Sequence, residues 1–314
     1  MDYAKEILEG SPRAVARLIS WLEDEDDRAY PYMERLYAHT GSAFIIGITG
    51  SPGAGKSTLT DRLTNAIRKE GLSVGIVAVD PSSPFTGGAV LGDRVRMSEH
   101  SVDPEVYIRS MATRGFLGGM AKATGDVVKV LDAYGKQVII IETVGVGQDE
   151  VDIIGIADTT CLVLVPGLGD SIQSMKAGIM EIADIFAINK ADRPGADQLG
   201  AEVSTRIAQD ASIKPSDWSP CVVKTIAVND EGVTDLWDAI RAHRNHLEQS
   251  GRFLEQRRER TRKETLRMIH NELFRRVRQR LQDNGQLDRL VDEILDRKRD
   301  PYSIMREIVG KWVS

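Results

Sequence analysis

Apolar and polar positions follow two rhythms along this chain. Short, nearly unbroken apolar runs recur at 44–49, 74–79, 105–109, 138–142, 161–165, 185–189 and 221–226. Their length and their content of Val and Ile are those of strands buried on both faces. Between them lie stretches with apolar residues three and four apart, the spacing of one helix face. Strand and helix alternate in this way over residues 42–247. That alternation predicts an α/β domain with a mostly parallel central sheet flanked by helices. The link from helix 56–69 through Gly71 into Leu72–Val79 is short. It predicts a right-handed βαβ unit whose second strand runs parallel to the first.

The flanks read differently. In residues 1–41, Ser11 and Pro12 have the chemistry of an N-cap and first helical position, followed by Val15, Leu18, Ile19 and Leu22 at helical spacing. The acidic run Glu23–Asp27 reads as a solvated turn, and a second helix is expected from Pro31 to Thr40. Residues 1–41 thus form an N-terminal helical extension. Residues 248–314 form a C-terminal helical arm. Its first helix, Arg252–Gln282, holds eleven Lys/Arg against four Asp/Glu, with Leu266, Ile269, Leu273, Val277 and Leu281 on one face. Such a stripe packs on its own protein or on a second subunit, and a nucleic-acid or membrane-surface helix is the other reading. Asn284-Gly285 ends this helix, and two shorter ones are expected around Asp300-Pro301.

Composition narrows the classes. Of 314 residues, 41% are hydrophobic and 28% charged, which is ordinary for a globular chain. A net charge of −6 argues against wholesale nucleic-acid binding. No apolar run approaches a membrane span and no leader pattern opens the chain, so a cytoplasmic location is expected. Cys161 and Cys221 each sit in a strand-like apolar run, as buried thiols do, and not in a disulfide spacing.

Candidate chemistry begins where the first strand ends. Gly50, Ser51, Pro52, Gly53, Ala54, Gly55, Lys56 and Ser57 form a complete G-x-x-x-x-G-K-S loop, and Thr58 continues into a helix. Glycines let the backbone curl so that N–H groups face phosphate oxygens at a helix N-terminus. Lys56 supplies a cation near the β- and γ-phosphates, and the Ser57 hydroxyl is a ligand for Mg²⁺. The base is read further along, at Asn189, Lys190 and Asp192 of an N-K-x-D element that follows the apolar run 185–189. The carboxylate of Asp192 accepts both guanine N–H donors, which adenine lacks. Lys190 stacks its stem over the base, and Asn189 braces the loop. The motifs together point to GTP.

Three acidic positions bear on the metal. Asp80 ends the second strand beside the phosphate loop, where Mg²⁺ and its waters sit. Glu142 ends strand 138–142 at the place where GTPases carry the Asp of D-x-x-G, and Gly145 would donate its N–H to the γ-phosphate. Asp93 lies in the polar, glycine-rich stretch 85–97, placed as a first switch loop. Arg94 and Arg96 in that stretch either stabilise transition-state charge or form solvated ion pairs. Gln148 either orients the attacking water or is a surface loop residue. Segment 110–119 is a second candidate mobile stretch.

These motifs carry a family resemblance. Thr49–Thr58, Val79–Pro84, Leu91–Met97, Glu142–Gln148, Pro166–Gln173 and Lys176–Asp192 together resemble the MeaB/ArgK-type GTPases, chaperones of adenosylcobalamin-dependent acyl-CoA mutases. Ras-like domains place an antiparallel strand second, so the expected parallel strand belongs to the other branch of P-loop GTPases. The resemblance implies that Ser57, Asp80, Asp93 and Glu142 surround Mg²⁺. It implies that 167–176 is an extra switch in which Asp170, Gln173 and Lys176 work, with Lys56, Glu142 and Gln148 at the chemistry. It also implies a homodimer joined through the C-terminal arm, and slow GTP hydrolysis accelerated by a mutase such as methylmalonyl-CoA mutase. The supporting loop reads Thr225-Ile226-Ala227 where S-A-x is commoner, with the Ala227 N–H meeting guanine O6. An ArgK-type kinase of a transport protein and a metal-insertion GTPase are the alternatives. The second would carry Cys/His clusters, whereas His243 and His246, one turn apart, read as a surface pair.

Overall fold

The computed structural model describes residues 2–80, 100, 102–112, 119–143, 155–167, 180–213 and 217–313. Two compact units divide the chain, Met1–Gln256 and Arg257–Ser314.

All seven apolar runs are strands: β1 (Phe44–Gly50), β2 (Val74–Asp80), β3 (Val106–Ala112), β4 (Val138–Thr143), β5 (Thr159–Leu164), β6 (Ile185–Asn189) and β7 (Cys221–Thr225). They form one sheet in the order β3-β2-β4-β1-β5-β6-β7, and every described pairing is parallel. β2 therefore runs parallel to β1, with β4 between them. Ten α-helices lie among the described residues. They are α1 (Tyr3–Leu8), α2 (Pro12–Glu23), α3 (Tyr30–Leu36), α4 (Lys56–Lys69), α5 (Gly119–Ala133), α6 (Ala196–Ile213), α7 (Val233–Gln249), α8 (Arg252–Asp283), α9 (Gln286–Leu295) and α10 (Pro301–Val313). Ser11 caps α2, its Oγ accepting from the Ala14 N–H at 3.3 Å. The expected helix at 31–40 is shorter, flanked by 3₁₀ turns at Asp27–Ala29 and Tyr37–His39.

Period-two alternation along each strand sorts the core into two faces. On β4, Ile139 and Ile141 face one cluster, while Val138 and Ile140 face another. The first cluster also holds Ile7 of α1, Val15 and Leu18 of α2, Leu36 of α3 and Val127 of α5. The opening forty residues are therefore part of the core of the sheet's first face. Tyr3, Trp21 and Tyr32 seal it, with ring centroids 5.1 to 5.9 Å apart. Arg109 on the edge strand β3 reaches α2, its Nε donating to Glu23 Oε1 at 3.1 Å. On the other face α4 and α7 cover β1, β4 and β5 through Leu59, Leu63, Leu236 and Ile240. α6 covers β5 and β6 through Leu199 and Val203.

Carboxylates fix the strand starts. Asp132 on α5 accepts the backbone N–H groups of Gly41 (2.5 Å), Ser42 (3.3 Å) and Ala43 (2.9 Å), which aims the chain into β1. Asp158 Oδ2 accepts the Ile45 N–H at 2.9 Å, and Asp184 Oδ2 accepts that of Thr160 at 2.8 Å. Both cysteines are free thiols, as their context suggests; burial pushes that of Cys161 up to about 12.

His243 corrects the surface-pair reading. It is 2% exposed, and its Nδ1 lies 2.8 Å from Thr159 Oγ1. Trp218 packs on it at 4.7 Å and reaches His246 at 5.4 Å. The one-turn spacing was read without the neighbouring Ile240 and Leu247, which show that this face of α7 is turned inward.

In the unit Arg257–Ser314, Leu290 and Ile304 are buried, whereas Leu266, Ile269, Leu273 and Phe274 of α8 are 52–62% exposed. No described helix is long and apolar enough to cross a membrane.

Asp184 and His243 give the fold a pH signature. Burial raises the Asp184 carboxyl from 3.8 to about 7 and lowers His243 from 6.5 to about 4. Between those two values for Asp184 the unfolded chain loses a proton that the folded chain keeps, so this group costs stability as pH rises. His243 acts oppositely: below 6.5 the unfolded chain gains a proton that the folded imidazole refuses until about 4. Asp184→Asn keeps an acceptor for the Thr160 N–H and removes the first effect. Its melting temperature relative to the parent should therefore climb from pH 4 to pH 7 and level off above, as read by thermal denaturation across that range. A pH-independent difference would contradict this assignment.

Candidate functional site

The phosphate loop leaves β1 at the C-terminal edge of the sheet. Here β1 lies between β4 and β5, so successive crossovers depart to opposite sides and open a crevice. Gly50 has φ +145°, and a Cβ there would stand 2.2 Å from the backbone oxygen of Val163 on β5. Gly55 has φ +87°, and its Cβ would stand 2.5 Å from Asn189 Nδ2. Both positions admit no side chain, the first because β1 and β5 run so close, the second because another loop enters the curl.

Lys56 opens α4 and is 6% exposed. Its ammonium donates to Gly50 O at 2.7 Å and Ser51 O at 3.1 Å, spanning the curl of the loop. The Ser57 hydroxyl donates to Glu142 Oε1 at 2.5 Å. Glu142 is 6% exposed. Thr143, the next residue of β4, donates through Oγ1 to Thr49 Oγ1 at 3.0 Å. Two adjacent residues of β4 thus tie its C-terminal end to both sides of the phosphate loop. The hydroxyls of Thr49 and Thr143 were missed by motif reading, although each stands beside a motif residue. The backbone of Asp80 ends β2 beside the end of β4, with Val79 in register with Thr143.

The N-K-x-D element ends β6 on the same edge. Asn189 is 2% exposed and holds three partners. Its Nδ2 donates to Ala54 O at 2.8 Å, while Oδ1 accepts from the Ala227 N–H at 3.1 Å and Thr225 Oγ1 at 3.2 Å. Asn189 therefore braces the phosphate loop against the loop after β7. In this structure the Ala227 N–H, expected to meet guanine O6, is directed at Asn189. Lys190 has φ +57° and its Nζ donates to Gly53 O at 2.7 Å, laying the stem across the phosphate loop. The Asp192 side chain is exposed. The structure thus brings Gly50–Thr58, Glu142 and Asn189–Asp192 to one edge of the sheet. The Asp80 side chain, Asp93, Gly145, Gln148, Asp170, Gln173 and Lys176 lie outside the described residues, as do the stretch 85–97 and most of 110–119.

A glycine curl feeding a helix, a lysine held over it, a Ser–Glu pair at the neighbouring strand end and a bracing N-K-x-D loop define a P-loop GTPase of the all-parallel branch. The family model described as "Methylmalonyl Co-A mutase-associated GTPase MeaB" matches residues 12–282, and the chain belongs to that family. It is 51% identical over 310 residues to a GTPase of Pyrococcus abyssi, covering 97% of this chain and 95% of that one. It is 32% identical over 282 residues to the GTPase ArgK of Escherichia coli, covering 86% and 85%. It is 36% identical over 217 residues to the mitochondrial methylmalonic aciduria type A homolog of Mus musculus, covering 68% of this chain and 52% of that protein. Among solved structures, one titled as a LAO/AO transport system kinase superposes with a TM-score of 0.68 at 24% identity, over 99% of this chain and 97% of that one, which supports the fold.

Asn189→Ala would remove the brace and leave buried groups of Ala54 and Ala227 without their partner. Affinity for both GDP and GTP should fall by at least about tenfold in a fluorescent-nucleotide titration. Unchanged affinity for both would mean that the two loops hold position without it.

Proposed function

We propose that this GTPase uses its nucleotide cycle to gate the loading of adenosylcobalamin into an acyl-CoA mutase and to protect that enzyme. Family membership supports the client. The observation that carries the switch is the lattice of hydrogen bonds joining the phosphate loop to β4 through Ser57–Glu142 and Thr49–Thr143. Residues 144–154 follow directly from that anchored strand end. A change in what Ser57 and Glu142 hold is thereby passed into the chain beyond.

GTP is the substrate. As it enters, the Lys56 ammonium exchanges the carbonyls of Gly50 and Ser51 for phosphate oxygens, and the N–H groups of the curl meet the same phosphates. Asp192 accepts from guanine N1–H and N2–H, Lys190 covers the base, and Asn189 keeps the two loops in register. Ser57 and Glu142 are close-set oxygen donors on one edge, the chemistry a hard divalent cation takes. They, Asp80 and Asp93 would hold Mg²⁺. When bound, that ion would supply neutralisation of the phosphate charge. Water attacks the γ-phosphorus, the bond to the β–γ bridging oxygen breaks, and GDP and phosphate leave. Gly145 senses the γ-phosphate and Gln148 orients the water. Asp170, Gln173 and Lys176 complete the site when the mutase is bound, which makes hydrolysis slow alone. Coupling in binding is reciprocal, so GTP alters mutase affinity by the factor that the mutase alters GTP affinity.

The exposed apolar face of α8 is proposed as the homodimer contact. Light scattering should give twice the 34.7 kDa chain mass, and Leu273→Asp should halve it. A monomeric parent protein would overturn this part.

GTP turnover measured alone and with an adenosylcobalamin-dependent acyl-CoA mutase should rise strongly with the partner. Gln173→Ala and Lys176→Ala should blunt that rise while leaving the unstimulated rate nearly unchanged. No stimulation, no complex and no effect of GTP on binding would leave a GTPase with a different client.

A further inference from the structure

The sheet has a second concavity, at the edge opposite the phosphate loop. Ser42, Leu72 and Gln137 stand just before β1, β2 and β4, and with Asp132, Lys136 and Arg244 they help to line a cavity of about 320 Å³. That size falls within the range of small-molecule pockets. Parallel sheets bind their ligands at the C-terminal ends of the strands, so the fold gives no reason to keep a cavity here.

Its charge is what calls for an occupant. Lys136 is 5% exposed, a rare fate for an ammonium that lacks a carboxylate partner. Among the described residues its one hydrogen bond is to Pro104 O, at 3.4 Å, longer than an ordinary N–H···O contact. The Tyr134 ring, 5.0 Å from Nζ, gives partial compensation. Burial pulls the Lys136 ammonium below its usual pKa, against the opposing influence of Glu105 and Asp103. Asp103 is itself held by Arg68 at 2.9 Å. The carboxylate lining the cavity, Asp132, is committed to three backbone N–H groups. Gln137 Oε1 is taken by the Ser73 N–H at 3.0 Å. Arg244 adds a second cation. It lies over Phe44 at 5.1 Å and gives its Nε–H to the Glu248 carboxylate at 2.8 Å, an ion pair and the only side-chain hydrogen bond it makes among the described residues.

We propose that this cavity is an anion site, separate from the nucleotide site, that takes a small molecule through a phosphate or carboxylate group held by Lys136 and Arg244. The anion would supply a carboxylate or phosphate in direct contact with Lys136, which Glu105 and Asp103 influence only from beyond ion-pair distance. Arg244, with its planar fork, would give the group its orientation.

The test uses the full chain saturated with GDP and Mg²⁺, so that the phosphate loop is filled. Inorganic phosphate and malonate are each titrated by calorimetry against the parent protein, Lys136→Met and Arg244→Met. Saturable binding of at least one anion is expected. Affinity should fall at least about tenfold in Lys136→Met, the loss of a charge-assisted hydrogen bond, with a smaller fall in Arg244→Met. Phosphate alone binding would assign a phosphate group, malonate alone a carboxylate, and both an oxyanion site of broad choice. GTP turnover should be unchanged in both variants. The proposal fails if neither anion gives saturable heat at about ten times a millimolar Kd. It also fails if the variants bind as the parent does. Should Lys136→Met not fold, Arg244→Met on the half-exposed wall decides alone: binding equal to the parent's overturns the site.

Discussion

The nucleotide edge rests on the close approach of two loops that come from strands far apart in sequence. Asn189, at the end of β6, reaches Ala54 in the phosphate loop, and the space it occupies is the space a Gly55 side chain would fill. Its other end gathers Thr225 and Ala227. One buried amide thereby sets the separation between the part of the site that grips phosphate and the part that reads the base. A buried polar group in that role must have every partner in place, because each one lost leaves another group desolvated and unpaired.

The parallel sheet makes this meeting possible. Every described strand runs the same way, so the ends of β1, β2, β4, β6 and β7 come out on one edge. The helices cover the faces and leave that edge to loops. The opposite edge is organised by charge: Asp132, Asp158 and Asp184 hold the entries of β1 and β5 through backbone N–H groups. The two edges differ in kind: one carries the nucleotide motifs on its loops, and at the other carboxylates fix strand register.

Much of this was legible in the sequence, for physical reasons. Strands covered on both faces must be apolar throughout, so all seven stood out as short runs, with ends displaced by three residues at most. β5 begins earlier than its apolar run because Thr159 and Thr160 are buried through hydrogen bonds, which hydropathy does not register. The glycines of the phosphate loop and the bracing role of Asn189 followed from local chemistry. The sharing of one core by α1–α3 and the sheet did not, because an amphipathic helix declares that it packs but not on what. His243 was misread for a related reason: spacing between two histidines says nothing about which face of the helix is inward. The direction of the Ala227 N–H depends on a partner almost forty residues away, beyond any local pattern.

Lys56 holds a further consequence. Its ammonium is already out of water and already satisfied by the carbonyls of its own loop. The desolvation of that charge therefore belongs to folding, and an arriving nucleotide meets a cation that has only to change acceptors. The lysine contributes little new burial to binding, and it makes the same exchange for any nucleotide whose phosphates reach the loop. The two loop carbonyls take the acceptor places that phosphate oxygens would take. Telling one nucleotide state from the other then falls to groups farther out, which meet the terminal phosphate or nothing at all.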